Sequence, residues 1–536
     1  MTGGAPEAEI ARVEIAAPPD GRAPRESGGA FRLLRTTVSG LLLPTAIGLA
    51  YALAVLFREQ IKVGGGLGWD GILYGKWARD FPAVLRDGVD AYYAQRVLPS
   101  GVAYAGLRLL DLKATNPAII KAFEIANVVL VSLSAWSYDV TARRLAISAR
   151  SRWVGAIGLF GSFAILKFSV FDPVLTDVWA FAFGMFQLQF CLTGRPLCLA
   201  LVTALGAFAW PTLLPVGCCL LFFPVFHPTP GSSAVTAQPP APRAGLDAPI
   251  SGRAPARLNE AVAWLLVAVW IWLCWPMARD GHSLGNSTGW IELNVVAVSV
   301  AVSAAYLFVG TRALLDDRRW FDLRWQLRAA WSPRAALAIV LFVGITLLRM
   351  RITSRASLYG LDSNIEMTVF SAIKEPAIFA LAHVLYWGPL LVLMLLGWRR
   401  VVATIQRSGP GVTLVALMAL LLSLNGESRK LGNFAPLFYV FALPLLDELR
   451  MSARKAWLLV LLSLSFSRVW ITFDGKMKGD LAQFPGQMLY MVMGPWMNPS
   501  MYVLQGTLVL ALLGGLWLLF FRVPRAPRAL LRRVNR

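Results

Sequence analysis

The residues of this chain best suited to chemistry are carboxylates that lie next to long apolar segments. The first is Asp70, in the motif Trp69-Asp70-Gly71-Ile-Leu-Tyr74, which follows the first apolar segment. An ionised carboxylate can take a proton from a hydroxyl group, and at the edge of a bilayer it is costly to desolvate unless it is paired or functional. Asp70 is therefore our leading candidate for a general base.

The segment after Asp70 ends with residue types that recognise sugars and phosphates. It contains Asp90, Tyr93 and Arg96, and a second acidic turn, Asp172 to Asp177, lies between two later apolar segments. An aromatic ring can stack on a sugar, and a guanidinium group can donate two parallel hydrogen bonds to a phosphate. We predict that these residues bind substrate. For any one of them, a solvated loop residue within an aromatic belt is an equally good interpretation.

Two later groups of residues combine cations with carboxylates. Glu427 and Arg429, in the sequence Glu-Ser-Arg-Lys, directly follow an apolar segment and are candidates for substrate binding. The alternative is a simple ion pair at a helix end. Arg351 and Arg355 fall on the predicted outer face, although arginine is usually enriched in cytoplasmic loops. We therefore expect an anion to hold them there. That anion is either a substrate phosphate, for which Arg351 and Arg355 are candidate ligands, or a lipid headgroup.

The composition assigns these residues to a membrane protein. A chain of 536 residues with 57% hydrophobic and only 15% charged residues cannot hide its apolar surface in a soluble core. The net charge of +21 would suggest nucleic acid in a soluble protein, but here Lys and Arg occur in short clusters between apolar segments. There they set orientation and contact anionic lipid headgroups, so we exclude nucleic-acid binding. The cysteines and histidines lack the spacing of a disulfide framework or a metal site.

When each apolar segment is counted as one crossing of the membrane, the clusters of Lys and Arg fall consistently on the same side. We therefore expect an all-α transmembrane helical bundle of about 12 to 14 spans, each needing about 20 apolar residues, with both termini in the cytosol. The helix at 97–110 is expected to be interfacial or re-entrant. The expected spans are 38–56, 117–140, 154–171, 178–192, two short spans within 196–226 hinged at Trp210-Pro211, 261–277, 295–309, 335–348, 378–396, 412–424, 434–446, 456–471 and 501–521.

Composition also divides the chain into five parts. Residues 1–36 are expected to form a disordered cytoplasmic tail, because they are rich in Gly, Ala, Pro and charge. Residues 37–226 form an N-terminal transmembrane module whose loop 58–116 is catalytic and faces outward. A Pro- and Ala-rich cytoplasmic linker at 227–259 precedes a C-terminal transmembrane module at 260–521, and a basic cytoplasmic tail follows at 522–536.

The run Gly64-Gly65-Gly66-Leu-Gly68 stands just before Asp70. It lacks the lysine of a phosphate-binding loop, and we expect no helix to follow it. We therefore predict that this run gives the segment flexibility.

Three motifs, in order and on one side of the membrane, resemble the GT-C superfamily of multi-span glycosyltransferases. They are Trp-Asp-Gly-x-x-Tyr at Asp70, Tyr-x-x-Arg-x-Leu-x-Pro at Arg96, and the turn from Asp172 to Asp177, and they cover about the first 190 residues. The resemblance implies a polyprenyl-phosphate-linked sugar as donor, a lipid or cell-envelope glycan as acceptor, and Asp70 as the base. It also implies an active site facing the periplasm from the cell inner membrane. No nucleotide-binding motif or protein-held cofactor is indicated, and a loosely held divalent cation is left open.

Two other functions compete with this one. The division into six and about eight spans around a central linker resembles the two halves of a major facilitator transporter, so a transporter or a flippase of lipid-linked glycans is the alternative. Against it, the charges concentrate near one rim rather than at the midplane, where transporters bind their substrates. A glycan polymerase or ligase is a third candidate, for which the loop from Arg349 to Pro376 is a partial match.

Overall fold

The structure is a computed structural model, and it describes residues 29–223, 256–280, 293–355, 360–449, 451–471 and 492–522. Apart from two short strands, the regular elements in these residues are helices, which confirms the predicted all-α class. The predictions for residues 1–28, for most of the 227–259 linker and for the C-terminal tail lie outside the described residues. The chain divides into two units, Met1–Leu42 and Leu43–Arg536, and the site lies wholly within the second.

The N-terminal half contains ten helices among its described residues, several of them within the predicted catalytic loop. A π-helical segment, Phe163–Phe168, lies between the helices Ala149–Phe160 and Ser169–Phe171. The elements are α1 Gly29–Leu56, α2 Trp69–Arg79, α3 Phe81–Asp87, β1 Val89–Asp90, α4 Leu98–Leu109, α5 Asn116–Arg144, α6 Ala149–Phe160, α7 Ser169–Phe171, α8 Asp177–Leu192, α9 Pro196–Gly206 and α10 Leu213–Phe222.

The C-terminal half contributes the remaining helices and the second strand. Strand β1 pairs in parallel with the second strand, Thr353–Arg355. This pairing joins the first loop, residues 58–116, to the segment after the long helix Pro333–Ile352. The elements are α11 Ala256–Asp280, α12 Leu293–Leu314, α13 Leu323–Ala330, α14 Pro333–Ile352, β2 Thr353–Arg355, α15 Leu361–Ile373, α16 Ile378–Trp387, α17 Leu390–Leu396, α18 Trp398–Ser408, α19 Pro410–Leu422, α20 Ala435–Glu448, α21 Ala453–Ser467 and α22 Pro499–Phe520.

Several long helices begin at a polar cap next to a proline. The side chains of Thr115, Ser332 and Asn498 each accept a hydrogen bond from the backbone N–H three residues later, and a proline lies in the first turn that follows. The cap satisfies one of the free N–H groups of the helix end, and proline is tolerated there because its missing N–H has no partner to lose. These residues therefore fix where α5, α14 and α22 start.

Among the described residues, five helices are long and apolar enough to cross a membrane, and up to seven if each of two bent pairs is one span. Five shorter apolar helices accompany them. Large apolar side chains on α11, α14 and α22 are exposed, including Trp272 at 72%, Val340 at 69% and Leu510 at 69%. Apolar surface on this scale is typical of contact with lipid. The fold is therefore that of a multi-pass membrane protein, and the count of 12 to 14 spans stays a prediction.

Two of the predicted spans are not continuous helices in the structure. The segment 154–171 bends by 48° between α6 and the π-helical segment. The segment 378–396 is interrupted between α16 and α17, where Gly388 has a φ of 99° and Pro389 follows. The positive φ of Gly388 ends α16, and Pro389 has no backbone N–H with which to continue the helix. The apolar sequence is the same on both sides of this break, so hydrophobicity alone does not indicate it. In addition, α15 meets α16 at 96°.

The break predicted at Trp210-Pro211 is confirmed, because α9 ends and α10 begins on either side of it. The two helices lie side by side as a hairpin: a Cβ atom on Gly217 of α10 would lie 2.0 Å from Oγ1 of Thr203 on α9. The hairpin tip contacts the first loop, since the backbone N–H of Leu98 donates to the carbonyl of Phe208 at 2.9 Å.

Loops that were predicted to share a face contact one another. At one end of the bundle, here called the site end, the N–H of Ile61 donates to the carbonyl of Phe171 at 3.1 Å. At the opposite end, Ser148 Oγ donates to Asp447 Oδ1 at 2.6 Å. Arg400 also pairs with Glu448 there, at 3.3 Å.

Gly184 tests the packing of α8 against the loop that precedes α20, because the two backbones lie close together at this residue. A Cβ atom on Gly184 would lie 2.3 Å from the backbone oxygen of Asn433. We expect Gly184→Ala to destabilise the purified protein by about 1 to 3 kcal/mol through overpacking, measured as a lower unfolding temperature in detergent. The control is Gly344→Ala on α14, where nothing lies within 4 Å. Equal unfolding temperatures for the two variants would contradict the packing.

Candidate active site

A glycine-rich turn places Asp70 at the start of α2. Gly64, Gly66 and Gly68 have φ angles of 62°, 93° and 79°, which glycine adopts without steric penalty. Helix α2 begins directly afterwards, so Asp70 lies in its first turn, where the helix dipole favours a carboxylate. The side chain of Asn116 donates to the carbonyl of Gly64 at 3.2 Å. The prediction that no helix follows this run is therefore wrong, since the glycines form a hydrogen-bonded turn after which α2 begins.

The turn from Asp172 to Asp177 packs against these glycines. Asp172 is only 3% exposed, and a Cβ atom on Gly68 would lie 2.5 Å from its Oδ1. The side chain of Asn127 holds the turn by donating to the carbonyl of Pro173 at 2.9 Å. Glycine at position 68 therefore leaves the space that the buried Asp172 carboxyl group occupies.

A third turn, Ser428–Leu431, supplies cations. Glu427 lies just before it and is 6% exposed. Its Oε1 accepts a hydrogen bond from Arg429 Nε at 2.5 Å, and its Oε2 lies 3.1 Å from Lys430 Nζ. The ion pair that was the alternative interpretation of this motif is thus present.

The first and third turns meet at the site end. Arg429 Nη1 lies 3.9 Å from Asp70 Oδ2, with the two side chains 23% and 28% exposed. Both groups are partly open to a reactant while being shielded enough to interact. We call the set Asp70, Arg96, Asp172, Asp177, Glu427, Arg429 and Lys430 the charged cluster.

Arg96 joins the charged cluster from the end of the first loop. Its guanidinium carbon lies 4.3 Å from the centre of the Tyr92 ring and 4.6 Å from that of Trp210. Its Nη1 lies within 3.4 Å of the Tyr74 hydroxyl oxygen, while its buried Nε has no hydrogen-bond partner among the described residues. Two aromatic faces therefore hold this cation in place, with donor capacity left over.

Burial and neighbouring charges separate the carboxyl groups of the cluster by pKa. Burial raises the pKa of Asp177 to about 6, although the guanidinium groups of Arg429 and Arg96 lower it. Burial, and then the charge of Asp177, hold the pKa of Asp172 well above its usual range. For Glu427, burial acts in the same direction, but Arg429 and Lys430 outweigh it and lower the pKa to about 2. Glu427 is therefore ionised at neutral pH, whereas Asp172 favours its protonated form.

Asp90 and Tyr93 have structural contacts next to the cluster. Asp90 Oδ1 accepts a hydrogen bond from the backbone N–H of Tyr92 at 2.8 Å, which forms a local turn, and Asp90 pairs with Arg355 in the strand ladder. The ring of Tyr93 packs edge-on against that of Tyr92 with centroids 4.9 Å apart, and against Trp77 at 5.8 Å. These residues support the segment that carries Arg96.

The arginines proposed as donor-phosphate candidates lie along β2 and the end of α14. Arg351 is exposed in the last turn of α14. It forms no ion pair with the charged cluster, all of whose residues the structure describes. Arg355 lies in β2, and its side chain is outside the described residues. Pairing of β1 with β2 still brings this segment to the first loop.

Sequence reasoning missed Tyr92, Trp210 and His383. Tyr92 precedes Arg96 by four residues, a local spacing that could have indicated a cation–π contact. Trp210 was noticed only as part of a helix break, and its contact with Arg96 depends on the hairpin tip reaching the first loop. His383 lies in an apolar helix, and no local pattern connects it with the turn at Ser428 that it contacts.

Comparison with protein-family models, with curated proteins and with solved structures finds no match for this chain. In the part of the chain that the structure describes, no group of three His, Cys, Asp or Glu side chains could hold a metal ion. The geometry of the charged cluster is therefore the basis on which a function is assigned.

The raised pKa of Asp177 predicts a pH-dependent stability. The folded protein holds this proton up to about pH 6, whereas the unfolded chain releases it near pH 4, so the associated stability is lost as the pH rises through about 6. We expect Asp177→Asn to raise the unfolding temperature relative to the parent at about pH 7.5, and to raise it less at about pH 5. Asp87→Asn, at an exposed carboxylate, is the control. A difference between parent and Asp177→Asn that does not change with pH would refute the assignment.

Proposed function

We propose that this protein is a membrane glycosyltransferase that moves a sugar from a polyprenyl-phosphate donor to a lipid or cell-envelope glycan acceptor. The observation that carries the proposal is the approach of Asp70 to Arg429 at 3.9 Å, which sets a proton acceptor beside a phosphate-binding cation. Buried carboxyl groups and aromatic rings surround this pair, as a sugar site requires.

In this proposal Asp70 is the general base. Its carboxylate takes the proton of the acceptor hydroxyl while the hydroxyl oxygen forms a bond to the anomeric carbon of the donor sugar. The bond from that carbon to the phosphate oxygen breaks, and its electron pair leaves with the polyprenyl phosphate. Positioned proton acceptors contribute about 10² to 10⁴-fold to such reactions. The first-turn position and 28% exposure of Asp70 support this role.

Arg429 is the leading candidate to bind the donor phosphate, with Arg96 and Lys430 beside it. A guanidinium group has five N–H donors, and the contacts of Arg429 with Glu427 and Asp70 use only part of them. Fixed cations stabilise the negative charge that develops on the leaving phosphate without having to reorganise. Arg351 and Arg355, on the segment that pairs with the first loop, stay candidates for binding the donor phosphate.

The acidic turn and the aromatic residues suit recognition of a sugar. Buried Oδ1 atoms of Asp172 and Asp177 have no hydrogen-bond partner among the described residues. Such atoms are rare in folded proteins, and hydroxyl groups of a substrate would satisfy them. Asp90 and Tyr93 contribute by holding Tyr92 and Arg96 in place.

We further propose that the cluster faces the periplasm from the cell inner membrane, in a bundle of about 12 to 14 spans with both termini in the cytosol. The grouping of loops supports this arrangement. Residues of the site end contact one another, and the basic loops around Ser148 and Asp447 contact one another at the opposite end. The resemblance to the GT-C superfamily agrees with the same orientation.

The base assignment predicts the effect of Asp70→Asn. The amide keeps the shape of the side chain but cannot accept the proton, so we expect sugar transfer to fall by about 10² to 10⁴-fold. The assay uses proteoliposomes with a radiolabelled polyprenyl-phosphate sugar and extracted membrane acceptors. Asp87→Asn changes an exposed carboxylate of the same loop and should retain full transfer. Transfer by Asp70→Asn at the parental rate would exclude Asp70 as the base.

The orientation predicts the reactivity of introduced cysteines. In a background whose five native cysteines are replaced, Asp87→Cys should react with a membrane-impermeant maleimide in cells with a permeable outer membrane. Arg454→Cys, at the opposite end, should react only after the inner membrane is opened, because the positive-inside rule assigns it to the cytosol. The reverse pattern of labelling would assign the charged cluster to the cytosol and rule out the proposed reaction.

A further inference from the structure

His383 connects helix α16 to the turn that carries the cations of the cluster. It is the one histidine in the described part of the chain, and it is 7% exposed. Its Nε2 lies 2.7 Å from the carbonyl oxygen of Ser423, and its Nδ1 lies 2.8 Å from Oγ of Ser428. The imidazole therefore spans the two ends of the segment 423–428, which leads from α19 to the cations.

The partners of His383 determine its tautomer. A backbone carbonyl can only accept, so Nε2 carries the hydrogen. In the neutral ring Nδ1 is then an acceptor, and the Ser428 hydroxyl donates to it. The other acceptor near this hydroxyl is the carbonyl oxygen of Gly426, at the longer distance of 3.5 Å. Both ring nitrogens are thus satisfied, which offsets the cost of burying a polar ring.

A second residue of the same helix holds Ser428 from the same side. Trp387, one turn after His383, donates from Nε1 to the carbonyl oxygen of Ser428 at 3.1 Å. Gly426, two residues before Ser428, is also fixed, because its N–H donates to Ser371 Oγ at 2.7 Å and the N–H of Gly494 donates to its carbonyl at 2.9 Å.

Ser428 stands between Glu427 and Arg429, so its position sets the direction of both charged side chains. An apolar side chain at position 383 would pack equally well in an apolar helix, but it would leave Ser428 without this contact. We propose that His383 is a positioning residue: through Ser428 it holds Arg429 in the orientation that binds the anionic phosphate of the donor. The inference rests on the proposed function and adds to it a residue beyond the reacting groups.

Two amide substitutions separate the two hydrogen bonds of His383. An asparagine amide reaches about as far as Nδ1 and can keep the contact with Ser428, whereas a glutamine amide reaches about as far as Nε2 and keeps only that with Ser423. We expect His383→Gln to raise the KM for a polyprenyl-phosphate sugar about tenfold with a smaller effect on kcat, the cost of one hydrogen bond. For His383→Asn we expect a KM within about threefold of the parent.

A merely structural role makes a different prediction. Each variant loses one hydrogen bond, so a structural role would lower the unfolding temperature and the activity of both to a similar extent. In a Ser428→Ala background we expect the difference in KM between the Asn and Gln variants to disappear, because the hydroxyl that only the Asn variant contacts is gone. Persistence of that difference would contradict the inference.

Measurements of binding and transfer on the parent protein distinguish a failure of this inference from a failure of the proposed function. Binding of undecaprenyl phosphate, followed by tryptophan fluorescence, and transfer from the sugar donor are measured on the parent first. Absence of both would overturn the proposed function and the inference with it. Binding and transfer by the parent, with equal KM values for the two His383 variants, would overturn the inference alone.

Discussion

The site depends on one interaction, the approach of the Asp70 carboxylate to the Arg429 guanidinium group. These residues come from the first and the last thirds of the chain, so their contact requires the helices between them to pack correctly. Each charge is partly shielded; Arg429 would keep its ion pair with Glu427 if Asp70 were removed, whereas removal of Arg429 would take from Asp70 the cation beside it. A partly exposed pair of this kind contributes little to stability by itself. Its location is therefore better explained by chemistry than by folding.

Around this pair the fold keeps similar groups in different protonation states. Glu427 is held ionised by two cations, whereas burial favours the protonated form of Asp172. The difference comes from position, since Glu427 lies in the turn that carries the cations and Asp172 is enclosed by the glycine turn. Separation of pKa values among neighbouring carboxyl groups is typical of sites that assign different roles to them. Protonation of Asp172 lowers the negative charge of the cluster, as approach of the proposed anionic donor would require.

The sequence predicted the charged residues of the cluster better than it predicted the contacts that support them. Asp70, Asp177, Glu427 and Arg429 were recognisable because each is a charged residue at the end of an apolar segment, and the structure brings all four together. The interruption at Gly388 was not predicted, because hydrophobicity is the same on both sides of it. The contact of Arg96 with Trp210 was also beyond reach, since it depends on how far a hairpin tip extends. Local patterns report exposure and secondary structure, whereas such contacts depend on the packing of the whole bundle.

Two buried carboxyl oxygen atoms of the acidic turn, Oδ1 of Asp172 and Oδ1 of Asp177, have no hydrogen-bond partner among the described residues. A buried carboxyl oxygen without a partner costs stability, and a protein selected only for stability would replace Asp172 and Asp177 by apolar residues. Instead, the chain encloses Asp172 with a glycine at position 68 whose φ of 79° suits few other residues, and it holds the turn with the amide of Asn127. Two independent features thus preserve a locally unfavourable arrangement. Such an arrangement is expected to persist where a ligand completes the missing hydrogen bonds, as the sugar of the proposed donor would.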